Sequence, residues 1–161
     1  MNVGQDGYHF PQKYLEHTND LIGQPLSNHK GRYDTIDFSS MSHDLNSFVK
    51  GEEVHFPVYS RKIHNPINQA VSCREQSCLL ILEGGWLLYD QAPWNELLPL
   101  YDYTVFMHSA ADTLKQNVIK RHIRGEKYSP EEAELFYEKS DAESTKLIIS
   151  NIAPHDYDFY Q

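Results

Sequence analysis

The sequence predicts an α/β fold with a largely parallel sheet, on three observations. Leu79, Leu80, Ile81 and Leu82 run into a single carboxylate, Glu83, followed by Gly84 and Gly85. A buried parallel strand delivers an acid to the ligand edge of a sheet in this way. Tyr103–His108 is a second apolar run, and the helical pattern of Ala110–Arg124 follows it, with Leu114, Val118 and Ile119 on one side. Ser129-Pro130-Glu131-Glu132 then opens another helix, with a serine cap, a proline just inside and a glutamate in the capping-box position. Strands that alternate with helices are what parallel connections require.

The remaining elements follow in order. Val3 ends a short strand with Asp6 and Gly7 at its tip, and Pro11 starts a helical turn or two. Residues 23–36 are rich in Gly, Asn, Ser and Pro and read as loop. Phe38 to Val49 reads as helix: Ser39 or Ser40 caps it, Met41, Leu45, Phe48 and Val49 recur at helical spacing, and Gly51 stops it. Val54–Tyr59 is strand-like, with Pro57 marking an edge or a break. Residues 60–70 read as polar loop. Pro93 starts a short helix carrying Trp94, Leu97 and Leu98. The helix from Ser129 runs to about Ser140, a further helix covers Glu143–Asn151, and Tyr157–Tyr160 is a terminal strand. No internal repeat or linker divides the chain, so one domain over 1–161 is expected.

The bulk composition narrows the class. A chain of 161 residues with 40% hydrophobic content can bury a core. The formal charge of −9 argues against a nucleic-acid partner, since a phosphate backbone would be repelled. No apolar run is long enough to cross a membrane, and MNVGQDGYHF lacks the basic end and apolar segment of a leader, so a cytoplasmic protein is expected. Cys73 and Cys78 have no second pair and no nearby histidine partners, so neither zinc nor a disulfide is expected. The 11 tyrosines favour an interface or an aromatic-lined cleft. Trp86, Trp94, Phe106 and Phe136 read as core or interface.

Four groups of residues carry possible chemistry. Glu83, backed by the close approach that Gly84 and Gly85 permit, is either a ligand-edge acid or a cap or salt-bridge partner. Asp6 is either a proton acceptor for a substrate hydroxyl or the first residue of an Asp-Gly turn. Tyr59, Arg61, Lys62 and His64 follow a strand: Arg61 suits a two-pronged bond to phosphate or carboxylate, and the group is equally readable as solvated. Arg121, His122 and Arg124 end a helix, where cations favour the dipole. Yet Lys120–Lys127 is dense in positive charge within an acidic chain, as an arginine lid over transferring phosphates requires.

At these residues the chain resembles the P-loop kinases related to uridine kinase, pantothenate kinase and phosphoribulokinase, and most of all the bacterial nucleoside kinase-like or fructose-transport-system kinase-like subgroup. Asp6-Gly7-Tyr8-His9-Phe10 resembles that group's Asp-Gly-Phe-His segment. Gly31-Arg32-Tyr33-Asp34-Thr35-Ile36-Asp37 is similar to Gly-x-Pro-Glu-Thr-Phe-Asp, with Tyr33 and Asp34 replacing proline and glutamate. Pro57–Pro66 resembles Pro-x-Tyr-Asp-Arg-x-x-His-Asp-Pro, with Ser60 and Asn65 where aspartates are usual. Ile81–Leu88 resembles Val-Glu-Gly-Asn-Trp-Leu-Leu, and Arg121–Asp141 resembles the lid arginines with the following helix and its aspartate.

The resemblance implies a three-layer, mostly parallel P-loop sheet and transfer of the ATP γ-phosphate to a hydroxyl of a nucleoside, sugar or pantothenate-like molecule. It implies Asp6 as base or hydroxyl-orienting acid, and Glu83 in the shell of magnesium, through water rather than as a direct ligand. It gives His9, Tyr59, Arg61 and His64 to the acceptor substrate, and Arg121 and Arg124, in a lid at about 121–130, to the phosphate. The sequence contains no Gly-x-x-x-x-Gly-Lys-Ser/Thr stretch. The expected domain is therefore incomplete, truncated before its first strand, and ATP and magnesium bind only if that segment is supplied. Without it the chain alone is expected to be inactive, or to be a non-catalytic binding or interaction protein that takes a phosphorylated metabolite. Strands left unpaired predict self-association, a homo-oligomer or a rearranged sheet.

Overall fold

A computed structural model of the chain describes residues 1–73, 78–126 and 128–161. Among the described residues the architecture is α/β, with three two-stranded sheets, two parallel and one antiparallel. The residues gather into two compact units: Met1–Leu87 with Ala92–Leu100, and Leu88–Gln91 with Tyr101–Gln161.

The first unit begins with strand β1 (Asn2–Gly4), which buries Val3 and runs into a tight 3-10 turn over Gln5–Tyr8. Helix α1 (Gln12–His17) starts directly after Pro11 and buries Leu15. The predicted loop 23–36 is largely that, tightened by 3-10 turns at Leu26–His29 and Tyr33–Thr35. Helix α2 (Phe38–Val49) has the predicted bounds, but its cap is Asp37 rather than Ser39 or Ser40. The Asp37 carboxylate accepts the Ser40 backbone N–H at 3.0 Å and the Ser40 hydroxyl at 2.7 Å, because a side chain one residue ahead of the first turn can reach its free amides. Gly51, at φ +78°, ends the helix by turning through a conformation that side chains disfavour.

Strand β2 (Val54–Ser60) buries Val54 and Phe56 on alternate positions, and its register shifts across Pro57, which has no N–H to give the ladder. The expected loop 60–70 is instead a tight turn and strand β3 (Asn65–Cys73), antiparallel to β2. The polar sequence concealed it, since a hairpin with wet faces shows no apolar alternation. Strand β4 (Ile81–Glu83) is shorter than the apolar run that predicted it, and pairs parallel with β1. Leu79 and Ile81 are exposed at 76% and 56%, so the run is not the buried strand expected. Leu15, Met41, Phe56, Trp86, Trp94 and Leu97 form the core of this unit. Phe38 meets Trp94 edge-on at 5.6 Å and Phe48 meets Phe56 at 6.0 Å. Burying each such side chain contributes about 1.5–3 kcal/mol.

In the second unit, β5 (Val105–His108) pairs parallel with the terminal strand β6 (Tyr157–Tyr160), which has the predicted bounds. Asp156 ties their entry, accepting the Thr104 backbone N–H and hydroxyl at 2.7 Å each. Val105 and Met107 are exposed, contrary to the buried strand expected. Helix α3 (Ala111–Glu126) continues through Gly125 instead of stopping before it. Helix α4 (Pro130–Phe136) carries the predicted capping box, with both reciprocal bonds made between Ser129 and Glu132. A π-turn over Tyr137–Asp141 links it to α5 (Ala142–Ser150), so the helix expected to reach Ser140 changes its winding after Phe136. Trp86 and Trp94 are buried as expected, while Phe106 and Phe136 are only half-buried. Cys73 and Cys78 are free thiols. Among the described residues no helix is long and apolar enough to cross a membrane.

Candidate functional site

Parallel pairing of β1 with β4 sets Gly4 opposite Glu83, so both chains leave the sheet at the same end. A glycine at position 4 leaves room for the acid: a Cβ there would come 2.6 Å from Glu83 Oε1. Past the strands, Gln5 turns inward. Its side-chain carbonyl accepts the Trp86 backbone N–H at 2.9 Å, and a Cβ at Gly84 would strike the same side chain. The close approach read into Gly84 therefore serves Gln5. Trp86 in turn donates its indole N–H to the Gly31 carbonyl at 2.8 Å and meets Tyr33 edge-on at 5.5 Å.

Asp6 follows Gln5 on the 3-10 turn, which Gly7 lets press against β2: a Cβ at Gly7 would lie 2.5 Å from the Pro57 carbonyl oxygen. The Asp6 carboxylate is about half exposed, and Arg61, from the β2–β3 turn, lies 4.0 Å away. His9 is buried, with Nδ1 bonded to the Asp6 carbonyl at 2.9 Å and its ring 5.5 Å from Tyr59. Burial pushes the His9 imidazolium below its ordinary value and nearby Lys30 adds to this, while the Asp6 carbonyl and carboxylate oppose it. His64 stands at φ +52° in the β2–β3 turn, and its carbonyl accepts Lys30 Nζ at 2.9 Å.

The structure thus sets Arg61 beside Asp6 and Tyr59 beside His9, ties the His64 backbone to Tyr59 through Lys30, and leaves Glu83 opposite Gly4 on the neighbouring strand tip. Arg121 and Arg124 belong to the second unit, where both are exposed near the end of α3, the helix end expected of them, and Arg121 lies 4.0 Å from Asp141. His122 bonds the same carboxylate at 2.9 Å and packs on Phe136. Lys127, part of the basic stretch, lies outside the described residues.

Sequence reasoning passed over Lys30 and Gln12, and noted Asn65 only as a replaced aspartate. Lys30 reaches Gln12 Oε1 at 3.0 Å and lies over the Tyr59 ring at 5.1 Å; Asn65 Oδ1 accepts the Gln12 backbone N–H at 2.8 Å. Lone polar residues in a loop, at a helix start and in a hairpin carry no spacing that marks them. Chemically, the arrangement offers a solvated carboxylate beside a guanidinium, with a second carboxylate on the adjoining tip. That donor set suits a hydroxyl, a phosphorylated compound or a metal-bound water.

No protein-family model matches the chain. It is 30% identical over 151 residues to the uncharacterized protein YggC of Escherichia coli K12, which spans 94% of this chain and 60% of that protein. It is 22% identical over 125 residues to a pantothenate kinase of Streptococcus pneumoniae, across 76% of this chain and 38% of the relative. Among solved structures, a candidate fructose transport system kinase from Silicibacter sp. TM1040 superposes with TM-score 0.88 at 21% identity, covering 99% of this chain and 74% of that one. YFH7 of Saccharomyces cerevisiae, a candidate P-loop kinase with a circular permutation, superposes with TM-score 0.81 at 17% identity, covering 99% and 56%. The chain spans about 60% or less of the curated relatives it matches. Its fold is that of the P-loop kinases, and it is related to that superfamily at low identity and over part of its relatives' length.

Proposed function

We propose that the first unit carries the acceptor site of an ATP-dependent kinase that phosphorylates a hydroxyl of a small molecule: a nucleoside, a sugar or a pantothenate-like compound. The observation that supports this is the meeting of Glu83 and the Asp6 turn at the tips of two adjacent parallel strands, with Arg61 4.0 Å from Asp6. In this reading Asp6 accepts the hydroxyl proton, Arg61 pairs with an anionic group of the acceptor or its product, and His64 and Tyr59 flank it. Glu83 would orient a water of a bound magnesium ion. ATP with magnesium supplies the phosphoryl group when bound. Phosphates of that kind are held by a nest of backbone amides, and the 161 residues contain no glycine-lysine loop of that type. These residues by themselves are expected to bind acceptor or phosphorylated product without transferring phosphate.

Calorimetric titration with ATP-Mg, with nucleosides, sugars and pantothenate, and with their phosphates tests the reading. Heat from one acceptor or its phosphate, lost in Arg61→Ala, is expected. Absence of heat from all of them contradicts it.

A second reading, a non-catalytic interaction protein built on the kinase fold, is favoured by apolar strand residues facing solvent: Ile81 at 56%, Met107 at 58% and Tyr157 at 53%. It predicts self-association through these strands. Sedimentation velocity showing a clean monomer at high concentration would count against it.

A further inference from the structure

We infer that His108, His155 and Asp158 form a binding site for a divalent transition-metal ion of the zinc class, in the second unit and separate from the acceptor site. The parallel pairing of β5 with β6 sets Phe106 opposite Asp158 and His108 opposite Tyr160, so these four side chains occupy one face of the pair. His155, from the loop before β6, reaches the same place. His108 Nε2 lies 2.6 Å and His155 Nε2 2.8 Å from one oxygen, Asp158 Oδ1. The three candidate ligand atoms all fall within 4.8 Å of one another.

The hydrogen bond on the far side of His155 decides what its near side can do. Nδ1 lies 3.0 Å from the Ala153 carbonyl oxygen, which only accepts, so Nδ1 carries the proton. In the neutral ring Nε2 is then a bare lone pair aimed at a carboxylate oxygen. That contact repels unless a cation, either a second proton or a metal ion, stands between them. A backbone carbonyl holding the other ring nitrogen is the usual outer support of a metal-bound histidine.

The rings are also held in place. Tyr160 stacks on His108 with centroids 4.4 Å apart and planes 10° from parallel, and Phe106 packs edge-on against His108 at 4.7 Å and 5.6 Å from His155. The reciprocal bonds between Thr104 and Asp156 fix the loop that carries His155. Tetrahedral zinc with bonds near 2.0–2.1 Å separates its ligand atoms by about 3.3 Å. Asp158 must therefore withdraw by about 0.7 Å from His108 Nε2 and about 0.5 Å from His155 Nε2, which a carboxylate about half exposed can do by rotation, and rotation of the imidazoles must bring the two nitrogens, no more than 4.8 Å apart, to the same separation. Imidazole and carboxylate together suit zinc, nickel or cobalt far better than magnesium. Solvent completes the coordination.

The test uses the 161-residue chain, with Zn²⁺ and Mg²⁺ titrated separately by calorimetry and Co²⁺ followed by its visible spectrum. Zinc is expected to bind one ion per chain, to displace cobalt from a site with intensified, non-aqueous d–d bands, and to bind at least tenfold more tightly than magnesium. His155→Ala and His108→Gln are each expected to weaken zinc at least tenfold. As a readout independent of variant folding, the imidazole proton resonances of His108 and His155 in the unaltered chain should move with zinc before those of other histidines. A cobalt spectrum unchanged from the aqueous ion, zinc binding that survives both substitutions in folded protein, or zinc shifts confined to other histidines would each overturn the assignment.

Discussion

Gln5 Oε1 accepts the backbone N–H of Trp86 at 2.9 Å, and this one bond joins the turn that bears Asp6 to the segment that leaves Glu83. Gln5 is almost wholly buried, so the bond is sheltered from water. Gln5→Ala removes this bond, a loss of about 0.5–1.5 kcal/mol. Urea unfolding of this variant should show a lower midpoint with an unchanged slope. Gly84→Ala should destabilise as well, because its new methyl group meets the same side chain.

Acid should weaken the first unit through His9. Burial holds its folded pKa below the unfolded value of about 6.5, so the unfolded chain takes up the proton first. Stability from this group is complete above about pH 6.5 and declines as pH falls toward the lowered folded value, by at most about 1.4 kcal/mol per pH unit. Denaturation midpoints measured from pH 7.5 to 5 should fall, and a His9→Gln variant that folds should lose that part of the slope. An identical slope in the variant contradicts this.

Arg61 should matter for anionic ligands and little for folding. Its guanidinium is exposed at 65%, so its 4.0 Å pairing with Asp6 adds little stability. Arg61→Ala is expected to leave thermal unfolding within about 0.5 kcal/mol of the parent. Its affinity for a phosphorylated acceptor should fall about 10- to 100-fold, the worth of a charge-assisted hydrogen bond. Arg61→Lys should recover only part, since an ammonium cannot make the two-pronged bond.

The exposed strand residues give a fourth expectation. Ile81→Glu removes an apolar group that is already in water, so it should leave the unfolding midpoint nearly unchanged while reducing any self-association seen by sedimentation.

The residues of the proposed acceptor site were legible as local patterns. The strand-to-acid step at Glu83, the Asp6-Gly7 tip, and Arg61 with His64 past a strand all stand out in the sequence, and the structure sets Glu83 opposite Gly4 and Arg61 4.0 Å from Asp6. Helix α2 was legible because periodicity and stop signals agreed, and the terminal strand β6 has the bounds read for it. Strand β3 was not, since its residues alternate toward water on both faces. Gln5 was not, because a polar side chain that satisfies a distant backbone amide has no local signature. The histidine–aspartate cluster was hidden for a similar reason: His108 lies 50 residues from Asp158, and only the β5–β6 register brings them together.

Amide chemical shifts of the isotope-labelled chain, followed while a phosphorylated sugar or nucleoside is added, bear most directly on the acceptor site. The expected result is saturable movement concentrated at Asp6, Gly7, Arg61, His64, Glu83 and Gly84, and its loss in Arg61→Ala. Shifts that stay flat at these positions for every compound tried, or that cluster elsewhere in the chain, would contradict it.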